Sequence, residues 1–168
     1  NKHLPAEKIV EIVRLISSYA GINGMIGGQM VDIASEGKKI DLETLKYMHS
    51  NKTGKLMKLP VELACIIGDA DREEREVLVK FSELIGLAFQ IKDDILDIEG
   101  DFSTLGKPVG SDIELGKSTY PSLIGMAESK TLLKETIAEA KMIVAEKFGV
   151  EKSNILLELA DYIGNRNK

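Results

Sequence analysis

The segment QIKDDILDIEGD, residues 90–101, carries acids at Asp93, Asp94, Asp97, Glu99 and Asp101, with no base after Lys92. On a helix turning about 100° per residue, Asp93, Asp94 and Asp97 fall within an arc of about 100°. Gln90 and Gly86 lie inside that arc, and Phe89 sits on its edge. Two readings are open. One is a solvated face, because Glu76 and Glu83 continue the arc further up the helix. The other is a cation site, because carboxylates at i, i+3 and i+4 repel and the C-terminal end of a helix disfavours negative charge. The two effects sum to about 1 to 2 kcal/mol, which a divalent ion reverses. Oxygen donors without His or Cys favour Mg²⁺ over zinc, and Mg²⁺ is commonly shared with substrate phosphates.

Bound phosphates need cations. Lys52 projects into an apolar stripe of Leu45, Met48, Leu56 and Leu59. It either snorkels to water or points into a polar cavity, where Thr53 beside it donates to the same anion. Lys107 and Lys117 lie in GKPVGSDIELGKS, whose end imitates a nucleotide-binding P-loop. The imitation fails, because five residues rather than four separate Gly110 from Gly116 and a polar loop stands where a strand is required. The two lysines are expected instead to clamp phosphate as the acidic cluster takes up metal.

The elements that position these residues read as helices. Apolar residues recur at three- and four-residue spacings, and alternating strand patterns are missing. A first helix is expected from Pro5 through to Gly37, with Gly21, Gly24 and Gly28 on one face to admit a close neighbour. Asp41 caps the next helix, which Pro60 is expected to kink or interrupt. Asp71 and Glu74 form a capping pair for a long helix from about Arg72 to Ile98. A Gly-, charge- and Ser/Thr-rich loop follows. Helices return over about Pro121 to Ala127, Lys130 to Lys147 and Asn154 to Asn165.

Composition narrows the function. The 168 residues are 43% hydrophobic and 29% charged, which suits one all-α domain with one core. A net charge of −5 excludes the basic excess that nucleic-acid backbones require. The single cysteine, Cys65, lies in the apolar run LACII and reads as a small buried hydrophobe, so no intrachain disulfide can form. No apolar run is expected to span a membrane, and the N-terminal NKHLPAEK has no apolar signal core. The expectation is a soluble, cytoplasmic protein.

The ordered set GGQMVDIASEGK, HSNKTGKL, IGLAFQIKDDILDIEGD and LGKSTYPSL resembles the trans-prenyltransferases of the isoprenyl diphosphate synthase family, closest to the bacterial members that make farnesyl diphosphate. The similarity runs from roughly Gly21 to the terminal DYIGNRNK. It implies an antiparallel helical barrel of the isoprenoid synthase type, here its C-terminal portion, around a deep cavity. By this resemblance DDILD is the second of two aspartate-rich motifs, and Asp93, Asp94 and Asp97 bind Mg²⁺ directly or through water. Lys52, Thr53 and Lys107 hold an allylic diphosphate, dimethylallyl or geranyl diphosphate, while Gln29 and Gln90 line its pocket. Lys117 joins the clamp, Asp112 supports a metal-bound water, and Phe89 flanks the isopentenyl diphosphate side. Lys52, Asp93 and Lys107 are the expected catalytic residues, and the full-length family enzyme is expected to be a homodimer. The family's first aspartate-rich motif is absent from these 168 residues. The chain alone is therefore expected to be inactive, with its aspartates empty or weakly occupied. A longer-chain synthase and a non-catalytic helical subunit are the alternatives.

Overall fold

The computed structural model describes residues 3–100 and 116–167, and every regular element among them is helical. The elements are α1 (Ala6–Ala20), α2 (Met25–Ser35), α3 (Leu42–His49), a π-helical turn (Ser50–Gly54), α4 (Lys55–Ile67), α5 (Arg72–Glu99), α6 (Tyr120–Ile124), α7 (Met126–Phe148) and α8 (Val150–Asn165).

Local chemistry accounts for the boundaries. The Asp71 carboxylate accepts from the Glu74 N–H at 2.8 Å, and the Glu74 carboxylate accepts from the Asp71 N–H at 3.0 Å. This reciprocal capping starts α5 where the sequence placed it. Asp41 caps α3 in the same manner, accepting from the Thr44 N–H at 2.8 Å. Gly125 and Gly149, at φ +90° and +79°, separate α6, α7 and α8. These left-handed residues fix the breaks, so α7 and α8 begin earlier than the side-chain pattern suggested.

One expectation is corrected and another narrowed. The chain from Pro5 to Gly37 is not one helix, because it turns between Ala20 and Met25. There, a Cβ on Gly24 would meet the Tyr19 carbonyl oxygen at 2.1 Å, so this glycine permits a tight turn rather than a helix contact. Of the two outcomes expected at Pro60, a kink or an interruption, the interruption does not occur, since α4 runs through it. The irregularity falls earlier, at the π-helical turn. Its wider step resets the helical phase, so Leu45 and Met48 are buried while Leu56 is 43% exposed and Lys52 leaves the apolar stripe.

The core is organised along α5. Phe81, Ile85, Ala88, Ile91 and Ile95 recur every three or four residues and are buried against Leu133, Ala140 and Val144 of α7 and Ile163 of α8. Each of the Phe, Leu, Ile and Val side chains in this set contributes about 1.5 to 3 kcal/mol through removal from water, and the alanines less. The other flank of α5 packs on α4 and the π-helical turn, and α2 lies against that turn. Glu62 of α4 ties three helices together, accepting from the Tyr19 hydroxyl of α1 at 2.5 Å and from Arg75 of α5 at 3.0 Å.

The stretch Ala6–Ser35 contains an 18-residue window of mean hydropathy 1.3, long and apolar enough to cross a membrane by length and composition. The turn between α1 and α2 breaks the stretch, and Asp32 within it is buried in an ion pair.

Candidate functional site

Gly28 sets the approach of α2 to the π-helical turn. A Cβ there would meet the Lys52 backbone nitrogen at 2.3 Å and its Cα at 2.8 Å. One turn further along α2, Asp32 comes opposite the Lys52 side chain. The Lys52 ammonium donates to Asp32 Oδ2 at 2.5 Å, and the Lys117 ammonium lies 3.7 Å from Asp32 Oδ1. The Asp32 side chain is 8% exposed, whereas Lys52 and Lys117 are 33% and 26% exposed. Two cations thus converge on one buried carboxylate at the wall of a cavity of about 170 Å³.

α5 contributes Gln90, Asp93 and Asp94 to the lining of the same cavity. Arg166, just past α8, donates to Asp93 Oδ1 at 3.0 Å and to the Phe89 carbonyl oxygen at 3.2 Å, while its guanidinium stacks 4.1 Å from the Phe89 ring centroid. Asp94 Oδ2 accepts from the Tyr120 N–H at 2.8 Å, which fastens α5 to the start of α6. His49, the last residue of α3, also lines the cavity, and burial pushes its pKa down to about 4, so the ring is neutral at pH 7. Burial, reinforced by the Asp94 charge, pushes the Tyr120 phenol up.

Of the residues singled out from the sequence, the structure brings Lys52, Gln90, Asp93, Asp94 and Lys117 to this cavity. Asp97 is 1% exposed and is not part of the lining. Thr53, Gln29 and Phe89 are half-buried beside the site rather than in its wall. Lys107 and Asp112 lie outside the described residues. Three participants escaped the sequence reading: Asp32, His49 and Arg166. Asp32 had a legible signal, because it lies four residues beyond Gly28 on the helix that the glycine brings against Lys52. Arg166 had none, since only the fold carries the end of α8 to α5.

The oxygen donors of Asp93 and Asp94 suit a hard cation such as Mg²⁺. Among the described residues no group of three acids, histidines or cysteines converges closely enough to hold a metal. The pair therefore fits an ion that completes its shell with water and with oxygens of a bound anion, and the lysines lining the same cavity fit that anion. Lysine ammonium groups and carboxylates lining one cavity are the charges that a polyphosphate with its metal would need.

The sequence profile of the polyprenyl synthetase family matches residues 2–150. The chain is 42% identical over 161 residues to farnesyl diphosphate synthase from Escherichia coli (strain K12), covering 95% of this chain and 54% of that protein. Among solved structures, an FPP/GFPP synthase from Zymomonas mobilis superposes with a TM-score of 0.81 at 31% identity, covering 96% of this chain and 52% of that one. A geranyltransferase from Helicobacter pylori complexed with magnesium and isoprenyl diphosphate superposes with a TM-score of 0.78 at 28% identity, covering 98% and 54%. The chain spans about half the length of the curated relatives it matches. With its helical fold, its cation-lined cavity and these similarities, the chain belongs to the polyprenyl synthetase family.

Proposed function

We propose that the chain forms the diphosphate-binding part of a Mg²⁺-dependent prenyltransferase that condenses dimethylallyl or geranyl diphosphate with isopentenyl diphosphate. Farnesyl diphosphate is the proposed product. The observation that carries this reading is the convergence of Lys52 and Lys117 on Asp32 at a cavity that Asp93 and Asp94 also line. In the reaction the allylic carbon–oxygen bond breaks and its electron pair leaves on diphosphate. The alkene of isopentenyl diphosphate supplies the electron pair of the new carbon–carbon bond, and a proton departs. Charge separates in that transition state, so groups that neutralise the leaving diphosphate lower the barrier.

Lys52 and Lys117 do this from α2's side of the cavity, with Lys107 and Thr53 as further proposed phosphate contacts. Mg²⁺ held by Asp93 and Asp94, with Asp97 and Asp112 as proposed supporting acids, would neutralise further phosphate charge. Gln29, Gln90 and Phe89 would orient the allylic and isopentenyl groups. Arg166 donates to Asp93 Oδ1, so a metal on Asp93 would use the carboxylate's remaining lone pairs or displace that contact. With only Asp93 and Asp94 at the cavity among the described acids of the DDILD segment, the 168 residues alone are proposed to be inactive.

A longer product is the second reading, supported by the similarity to an FPP/GFPP synthase. The protein expressed from its complete coding sequence, given Mg²⁺, geranyl diphosphate and labelled isopentenyl diphosphate, is expected to yield a 15-carbon product by chromatography. A longer ladder would favour the second reading. Asp93→Ala is expected to lower turnover about 100-fold or more, the scale of losing one charge-stabilising contact. Unchanged prenyl transfer in that variant would remove Asp93 from the proposed metal site, and no transfer by the unsubstituted protein would favour a non-catalytic helical module.

A further inference from the structure

His49 Nδ1 and Tyr120 Oη are both buried without a hydrogen-bond partner, the residues being 8% and 0% exposed. Their rings are neighbours, with centroids 5.7 Å apart and planes tilted by 42°. Both line a second cavity of about 470 Å³, on the side of α3 and the π-helical turn that carries Ser50 and Gly54. His49 also lines the first cavity, so its ring forms part of the partition between the two. The great majority of buried polar groups are satisfied, so two unpartnered atoms on neighbouring rings, in residues that border one cavity, point to a small hydrogen-bonding guest between them.

We propose that one water bridges Tyr120 Oη and His49 Nδ1, and that His49 and Tyr120 thereby act as positioning residues for the phosphate-binding lysines. The inference rests on the proposed function above. The hydroxyl donates to the water, and the water donates to the imine nitrogen, which places the imidazole proton on Nε2. The connectivity explains why such a bridge matters. His49 is the last residue before the π-helical turn that presents Lys52. Tyr120 follows Lys117 by three positions, and its N–H is held by Asp94. The bridge therefore joins the Lys52 turn to the segment that carries Lys117 and grips the acidic helix, and fixes the spacing between the two ammonium groups.

The test uses the complete protein with ¹⁵N-labelled histidine and inorganic diphosphate plus Mg²⁺ as the probe. In the unsubstituted protein the His49 Nδ1 resonance is expected at the position of a hydrogen-bonded imine. Tyr120→Phe, which removes only the hydroxyl, is expected to move it to that of a free imine. Diphosphate affinity is expected to fall about fivefold in Tyr120→Phe and in His49→Leu, the scale of one neutral hydrogen bond, and no further in the double variant. His49→Gln, which keeps an acceptor, is expected to recover most of the affinity. An Nδ1 resonance that does not respond to Tyr120→Phe would overturn the bridge. A responsive resonance with unchanged diphosphate affinity, or with additive losses, would overturn the positioning role. The resonance needs no turnover, so absence of prenyl transfer would count against the proposed function and leave the bridge to be decided by the spectrum.

Discussion

Asp32 is the residue on which the candidate site turns. Its buried carboxylate holds Lys52 and Lys117 together, so the two cations meet an incoming anion already gathered. His49, beside them, carries a pH signature. Its pKa is depressed from 6.5 to about 4, first by burial, with the charges of Asp32 and Asp93 opposing and those of Lys52 and Lys117 assisting. A folded-state pKa below the unfolded one means that the unfolded chain binds the extra proton. His49 therefore costs nothing above pH 6.5 and progressively destabilises the fold as pH falls from 6.5 to about 4. The full effect is roughly 3 kcal/mol. Urea unfolding at pH 7 and pH 4.5 is expected to show a smaller acid-induced loss in His49→Gln than in the unsubstituted protein. Equal losses would contradict the assignment. At this scale the sequence displayed the acids and lysines by type and spacing. It could not display the neutral state of His49, which depends on how completely the fold removes the ring from water.

The contact between α2 and the π-helical turn positions the lysine, and a glycine controls it. Gly28→Ala would place a Cβ 2.3 Å from the Lys52 backbone nitrogen, so the turn must shift rather than a flexible side chain. Overpacking of this kind costs about 1 to 3 kcal/mol. Denaturant unfolding is expected to show that loss, and diphosphate affinity is expected to fall with it. A variant as stable as the parent and binding as tightly would show that the close approach is not what aims Lys52. The helical class, the α5 capping box and the glycine face at Gly28 were legible in the sequence, because capping and small-residue packing are local or periodic signals. The break between α1 and α2 and the π-helical turn were not. The first is set by backbone approach at Gly24, and the second by a change of hydrogen-bond step that leaves residue types unaltered. Periodicity assigned Lys52 to an apolar stripe for that reason, since it assumed an uninterrupted α-helical phase.

Across the whole molecule, α5 is both the centre of the core and the bearer of the acids, so the rigid element and the chemical element are the same. The opposite edge is less covered: Val10 and Val13 of α1, Ile26 and Met30 of α2, and Ile22 between them are 49–77% exposed. Exposed apolar side chains grouped on two consecutive helices mark a candidate contact surface. The distribution of charge supports the central claim. An acidic chain of net charge −5 places Lys52 and Lys117 in the wall of one small cavity and Arg166 on Asp93 of the same wall, which is the concentration of cations that the proposed diphosphate site needs. Calorimetric titration of the complete protein with inorganic diphosphate, with and without Mg²⁺, tests that claim most directly. The account predicts tighter binding with Mg²⁺, loss of that gain in Asp93→Asn, and weak binding under both conditions in Lys52→Gln. Diphosphate binding that is indifferent to Mg²⁺ and to both substitutions would contradict it.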